Sequence, residues 1–265
     1  MNIMVDERTA DRSAEVWARL QSVIDPELDE SVTELGFVTA VEVDADGEVR
    51  VGFRLPTYWC AANFAFLMAD DMRLAVTALP WVTKVTVGLG EHMYADEINR
   101  GIAAGLSFQD TFGDAASDEL SEVRRTFLVK AFQRRQEALL SYLIDHGHEA
   151  AALLRLSVAE LAALPADAAS RRLIERYLER RPVIASRAGA PGLDELAFVD
   201  SEGAALDAER ITTHLRALRR IGVNAEFNSA LCRGLLAERY GSQGAPPVEI
   251  KPVHFVRSVS AQGRA

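Results

Sequence analysis

The chain has 265 residues, of which 49% are hydrophobic and 26% charged, and it contains two cysteines. This composition is typical of a globular protein and excludes a disulfide scaffold and a self-contained four-cysteine zinc or iron–sulfur site. No apolar run reaches the roughly 18 residues of a membrane span, and the polar N-terminus does not resemble a signal peptide. We therefore expect a cytoplasmic protein with free thiols that binds no membrane.

The charge is unevenly distributed along the chain. Residues 1–116 carry 20 acidic and 8 basic residues, whereas residues 117–265 carry 19 and 21. An acidic surface repels the phosphates of nucleic acids, and no aromatic residues interleave with the arginine pairs of the C-terminal part. The pattern predicts that nucleic acid is not a partner.

Hydrophobic periodicity over residues 1–95 predicts a small domain with the order α-β-β-α-β. Its elements are a helix over 11–24, an acidic loop over 25–36, strands over 37–43 and 48–55, a helix over 61–79 and a strand over 82–89. An Asp-Gly turn joins the first two strands, which indicates an antiparallel hairpin. The helix between the second and third strands is typical of a crossover, so these two strands should run parallel. This topology brings the loops 25–36, 56–60 and 90–94 to one end of the sheet.

The rest of the chain is predicted to form a linker, a helical domain and a tail. The linker covers 96–117, the mainly α-helical domain covers 118–240, and an extended tail covers 241–265. The predicted elements of the helical domain are helices over 118–146, 167–181, 207–221 and 224–240, a capping box at Ser157 and Glu160 that opens a short helix, and a small hairpin within 193–206. The predicted fold class is α+β, a three-stranded mixed sheet with helices followed by a mainly helical domain.

Cys60 is the most informative residue because it lies where a strand gives way to a helix. The free N–H groups at a helix N-terminus favour a thiolate, whereas the carboxylates of the loop 25–36 disfavour one. A divalent metal reverses this balance, because it binds thiolate and tolerates nearby carboxylates. The arrangement favours metal binding over thiol catalysis, and a buried structural cysteine is the alternative.

Several short motifs together resemble the iron–sulfur cluster assembly family of PaaD and SufT. They are Asp25-Pro26-Glu27, Leu35-Gly36, a hairpin, Pro56-Thr57-Tyr58-Trp59-Cys60, and a helix ending in Leu79-Pro80. The resemblance covers residues 13–90 and implies a small α/β fold that takes part in maturing iron–sulfur or other metalloproteins. It also implies that Cys60 is the metal ligand, with Asp25, Glu27 and Thr57 in support.

The sequence departs from the family pattern in two ways. Trp59-Cys60-Ala61 stands where the family usually has Gly-Cys-Pro, and the C-terminal cysteines of the PaaD type are absent. Because a cluster generally needs four protein ligands, one cysteine cannot hold a cluster alone. We expect iron or an iron–sulfur cluster to bind transiently, across a homodimer or shared with a client.

Three residues beside Cys60 each have two interpretations. His92 follows the third strand and is either a further ligand or a solvated loop residue. Tyr58 and Trp59 either dock a client protein, as aromatic residues often do, or cover the small core. The second cysteine, Cys232, lies in an apolar helix and is predicted to pack in a core.

Three hypotheses for function follow. The first is a non-enzymatic factor that delivers metal to a client metalloprotein; long relatives of this family imply a multicomponent oxygenase as that client. The second is a metal-free adaptor or chaperone for a client enzyme. The third, a thiol enzyme, is disfavoured by the acidic surroundings of Cys60.

Overall fold

The computed structural model describes residues 7–113, 120–184 and 192–241, which form two compact units. The α/β unit comprises residues 7–25, 30–113 and 233–241, and the helical unit comprises 26–29, 120–184 and 192–232. The predicted tail over 241–265 lies, apart from Gly241, outside the described residues. The observed class is α+β, which confirms the predicted fold class.

The α/β unit contains the elements that the sequence predicted, with small shifts in their ends. They are α1 (Glu7–Leu20), the two-residue strands β1 (Ile24–Asp25) and β2 (Glu30–Ser31), β3 (Val38–Val43), β4 (Glu48–Phe53), α2 (Ala62–Thr77) and β5 (Lys84–Leu89). β1 and β2 form a short antiparallel pair within the acidic loop. The sequence did not predict this pair, since two-residue strands leave no periodicity to detect.

The main sheet has the strand order β3-β4-β5. β3 and β4 are antiparallel, and β4 and β5 are parallel from Glu48/Lys84 to Phe53/Leu89, which confirms the predicted crossover. Gly47 makes the hairpin possible because its φ is 85° and a Cβ there would lie 2.5 Å from the carbonyl oxygen of Trp81. Phe53, Phe66 and Met72 are fully buried in the core between sheet and helix.

The segment predicted as a linker, 96–117, contributes two helices to the α/β unit. They are α3 (Ala95–Ala104) and α4 (Phe108–Phe112), and Ile98 and Ile102 are buried. Gly101 lets the two helices approach closely, since a Cβ on it would collide with the Thr111 side chain. The chain therefore continues the α/β core beyond residue 95.

The helical unit is built around one apolar core. Its elements are α5 (Leu120–Asp145), α6 (Ala150–Leu153), α7 (Val158–Ala162), α8 (Ala168–Arg180), the 3-10 turns Arg181–Ile184 and Ala208–Arg210, and the part of α9 (Ile211–Tyr240) up to Cys232. Phe132, Leu139, Tyr177 and Phe198 are fully buried. The predicted capping box is present at the start of α7, where Ser157 and Glu160 bond reciprocally to each other's backbone.

α9 is one continuous helix, and the predicted break at Gly222 is wrong. A glycine inside a helix costs about 1 kcal/mol relative to alanine. Burial of the helix face that carries Leu218, Gly222 and Ala225 outweighs that cost. None of the helices in the described part of the chain is both long enough and apolar enough to cross a membrane.

Candidate functional site

Cys60 lies in the turn between β4 and α2, as the sequence predicted. α2 begins at Ala62 with Ala61 as its N-cap, so Cys60 immediately precedes the cap. Ala61 has no side chain that could accept a hydrogen bond from the first helical turn, and that turn contains no acidic residue. Asn63 Oδ1 accepts the N–H of Phe64 at 2.8 Å, but no charged side chain of this turn offsets the partial positive charge of the helix N-terminus.

The thiol of Cys60 is partly exposed and has one side-chain partner. Its Sγ lies 3.0 Å from Oγ1 of Thr57, which is also partly exposed. A hydroxyl group can donate to a thiolate or accept from a thiol, so Thr57 can hold Sγ in place in either protonation state. Cys60 is therefore not a fully buried residue, and it forms no disulfide.

His92 holds the Cys60 turn through the backbone. Its Nδ1 accepts the N–H of Tyr94 at 3.2 Å, so Nε2 carries the proton and donates to the carbonyl oxygen of Cys60 at 2.8 Å. The side chain is buried rather than solvated. Both ring nitrogens are engaged, so in this arrangement His92 orients the loop and has no nitrogen left for a metal.

The loops 56–60 and 90–94 meet at this end of the sheet, as the topology predicted. The N–H of Met93 donates to the carbonyl oxygen of Tyr58 at 2.9 Å. Tyr58 and Trp59 are 51% and 73% exposed, and Met93 and Tyr94 are also exposed. These four residues, here called the aromatic patch, present apolar surface next to the thiol. The exposure of Tyr58 and Trp59 is compatible with docking and does not support a role as a cover for the core.

The two acidic residues that the resemblance implies fall in different units. Asp25 ends β1 in the α/β unit and is buried. Glu27 belongs to the helical unit, where it accepts a hydrogen bond from Asn228 Nδ2 at 3.0 Å. Within the described residues, no group of three or more histidine, cysteine or acidic side chains is arranged to hold a metal ion. The roles assigned to Asp25, Glu27 and Thr57 therefore stay predictions.

The last two turns of α9, which belong to the α/β unit, contact the loops at this end of the sheet. Arg239 donates to the Glu91 carboxylate at 3.0 Å, and the hydroxyl of Tyr240 donates to the same carboxylate at 3.2 Å. The guanidinium of Arg54 lies 4.1 Å from the centre of the Tyr240 ring. Burial raises the pKa of Tyr240; the charge of Arg239 lowers it, the charge and hydrogen bond of Glu91 raise it, and the pKa is raised overall.

A sequence profile described as iron–sulfur cluster assembly protein matches residues 13–87, a range that includes Cys60 and Thr57. An uncharacterized protein of Methanocaldococcus jannaschii is 32% identical over 85 residues, which are 32% of this chain and 87% of that protein. The chain belongs to the iron–sulfur cluster assembly protein family. The family resemblance predicted from the motifs is confirmed.

A second relative is the iron–sulfur cluster carrier protein of Mycobacterium leprae. It is 40% identical over 84 residues, or 32% of this chain, and the match spans about a fifth (21%) of its length. A solved structure, a domain of unknown function from Bacillus anthracis, is 20% identical with a TM-score of 0.30, covering 37% of this chain and 94% of the other. Each of these matches covers between a little over a quarter and a little over a third of this chain.

The sequence did not identify two features of the site. Met93 and Tyr94 extend the aromatic patch, and two apolar residues in a polar loop are the signal that could have revealed them. The contacts of Arg239 and Tyr240 with Glu91 join residues almost 150 positions apart. No local pattern in a single sequence reveals such a contact.

Proposed function

We propose that this chain is a non-enzymatic iron–sulfur cluster assembly factor that acts in the cytoplasm and delivers iron or a cluster to a client metalloprotein, such as a multicomponent oxygenase. The observation that carries the proposal is the placement of Cys60. Cys60, which the motif resemblance assigns as the family's cysteine, is partly exposed and precedes a helix N-terminus, beside an exposed aromatic patch. The similarity to a protein named as an iron–sulfur cluster carrier supports the same role.

Transient binding is the mode that the geometry favours. One thiolate supplies a single strong bond to iron, and the described residues hold no preformed group of three ligands. The cargo must then complete its coordination with a second protein or with small molecules. A carrier that supplies few ligands releases its cargo readily to a client that supplies more, because the additional bonds favour the client.

The neighbours of Cys60 have separate roles in this proposal. Thr57 orients Sγ, and His92 fixes the backbone of the turn by its bond to the Cys60 carbonyl. Tyr58 and Trp59 form part of the surface that docks the client, since exposed aromatic residues anchor protein interfaces. Asp25 and Glu27 assist metal transfer through the acidic loop.

The test compares the two cysteines of the chain. We expect anaerobic reconstitution with iron and sulfide to give iron content and visible absorption in the wild type and in Cys232→Ser, but to lose both in Cys60→Ser. Cys232→Ser is the matched control, because it also removes one of the two thiols, the one in a helix rather than the one in the turn. Equal iron in Cys60→Ser and the wild type would refute the assignment of Cys60.

A metal-free adaptor is the second candidate, and the aromatic patch favours it. An adaptor needs an exposed surface and no ligands, and Trp59 provides such a surface without any metal. Co-purification from the native host distinguishes the two. An adaptor captures its client equally well in the wild type and in Cys60→Ser and loses it in Trp59→Ala, whereas a carrier also transfers iron and loses the transfer in Cys60→Ser.

A further inference from the structure

Helix α9 has an exposed apolar stripe on the side opposite to its buried face. The stripe consists of Val223, Phe227, Leu231 and Leu235, which follow one another at intervals of four residues. Phe227 is 67% exposed, and the other three are between 38% and 49% exposed. With about 3.6 residues per turn, the residues that the helix buries, among them Leu218 and Ala225, fall on the opposite side of the helix.

Charged residues of opposite sign lie at the two ends of the stripe. Arg220 precedes it by one turn and Glu238 follows it by one turn, on the same side of the helix and both exposed. Neither forms an ion pair with another residue in the described ranges. The stripe therefore has a positive charge at one end and a negative charge at the other. Two copies of such a stripe packed antiparallel place each positive charge opposite a negative one.

We propose that the occupant of this stripe is the α9 helix of a second copy of this chain, packed antiparallel. A register centred on position 229 places Phe227 opposite Leu231 of the second copy and Val223 opposite its Leu235. The same register places Arg220 opposite Glu238. A two-fold axis repeats each of these pairs, which is the property of an isologous interface.

The size of the stripe sets the expected affinity. From Arg220 to Glu238 the helix rises by about 27 Å, at 1.5 Å per residue. A single helix pair of this length is smaller than a standard interface of roughly 800 Å² per partner. The dimer should therefore dissociate in the micromolar range, and its formation does not depend on the function proposed for Cys60.

Sedimentation velocity of the full chain tests the proposal. We expect a monomer–dimer equilibrium between about 5 and about 200 µM, with Phe227→Ser weakening association at least about 30-fold because Phe227 lies at the centre of the interface in both copies. Leu193→Ser is the matched control: it removes another apolar side chain that is 68% exposed, outside the stripe, and should leave association unchanged.

Charge reversal tests the antiparallel register itself. Arg220→Glu alone and Glu238→Arg alone should each weaken association about 10-fold, since each turns two attractive pairs into repulsive ones. An equimolar mixture of the two variants should recover wild-type affinity, because each copy then supplies the charge that the other lacks. If the chain stays monomeric at every concentration, the proposal is overturned, whatever else covers the stripe. A dimer whose affinity does not change on substitution of Phe227, Arg220 or Glu238 overturns it as well.

Discussion

Asp29 is the residue whose substitution should most clearly destabilise the helical unit. Its side chain is 5% exposed and receives two hydrogen bonds from Arg135, at 2.6 and 2.9 Å; the Arg135 side chain is 7% exposed. Arg180 donates to the same carboxylate at 3.1 Å. Burial lowers the pKa of Arg135, but the hydrogen bond and charge of Asp29, then those of Glu179, outweigh it and raise this pKa overall.

Asp29→Asn removes the charge with little change in shape. The residue has a φ of 54°, in the left-handed region that asparagine also tolerates, so backbone strain should change little. Removing one partner of a buried ion pair typically costs 3–5 kcal/mol, because the other charge stays buried. Glu179 still neutralises part of the Arg135 charge, so we expect a loss of about 3 kcal/mol in the free energy of unfolding.

Urea denaturation followed by far-UV circular dichroism measures this loss, and a double-mutant cycle with Arg135→Met measures the coupling. The double variant should be more stable than the sum of the single changes predicts, by about 1–3 kcal/mol. Asp70→Asn is the control, since its pair with Arg73 at 2.7 Å is partly exposed and should contribute less than about 1 kcal/mol. A loss in Asp29→Asn no larger than in the control, with coupling near zero, would refute the argument.

Three further predictions concern stability. Burial lowers the pKa of His214, so below about pH 6.5 the unfolded chain takes up a proton that the folded chain does not. The melting temperature should therefore fall as the pH drops below about 6.5, and it should fall by less in His214→Asn. Hydrogen bonds, chiefly from the backbone N–H of Ser170, lower the pKa of Asp167 to about 2. The ionised carboxylate therefore stabilises the folded chain fully above its ordinary pKa of 3.8, and this contribution is lost as the pH falls towards 2. In Asp167→Asn the melting temperature should depend less on pH across this range. Gly47→Ala should lose at least about 2 kcal/mol on urea titration, because it combines a left-handed φ with a clash against the Trp81 carbonyl. Gly105→Ala is its control: at φ 65° it meets no atom within 4 Å, so a loss as large as that of Gly47→Ala would contradict the role of the clash.

The α/β unit could largely be predicted from the sequence because local rules determine its elements. The Asp-Gly turn, the alternating strands and the helix between β4 and β5 fix the hairpin and the parallel pair. The same order predicted that the loops 56–60 and 90–94 would meet, and the bond from Met93 to Tyr58 confirms it. The position of Cys60 before α2 follows from a strand and a helix that are each predictable.

What the sequence alone determined is therefore the main helices and strands of residues 7–89, the topology of the main sheet, the family and the position of the thiol. Only the tertiary structure showed that His92 is engaged through both ring nitrogens, that Asp29 pairs with arginines more than 100 residues away, and that α9 continues through Gly222. Local propensities act over a few residues, whereas these outcomes depend on which distant groups pair with a buried charge, form a hydrogen bond or pack against a helix face.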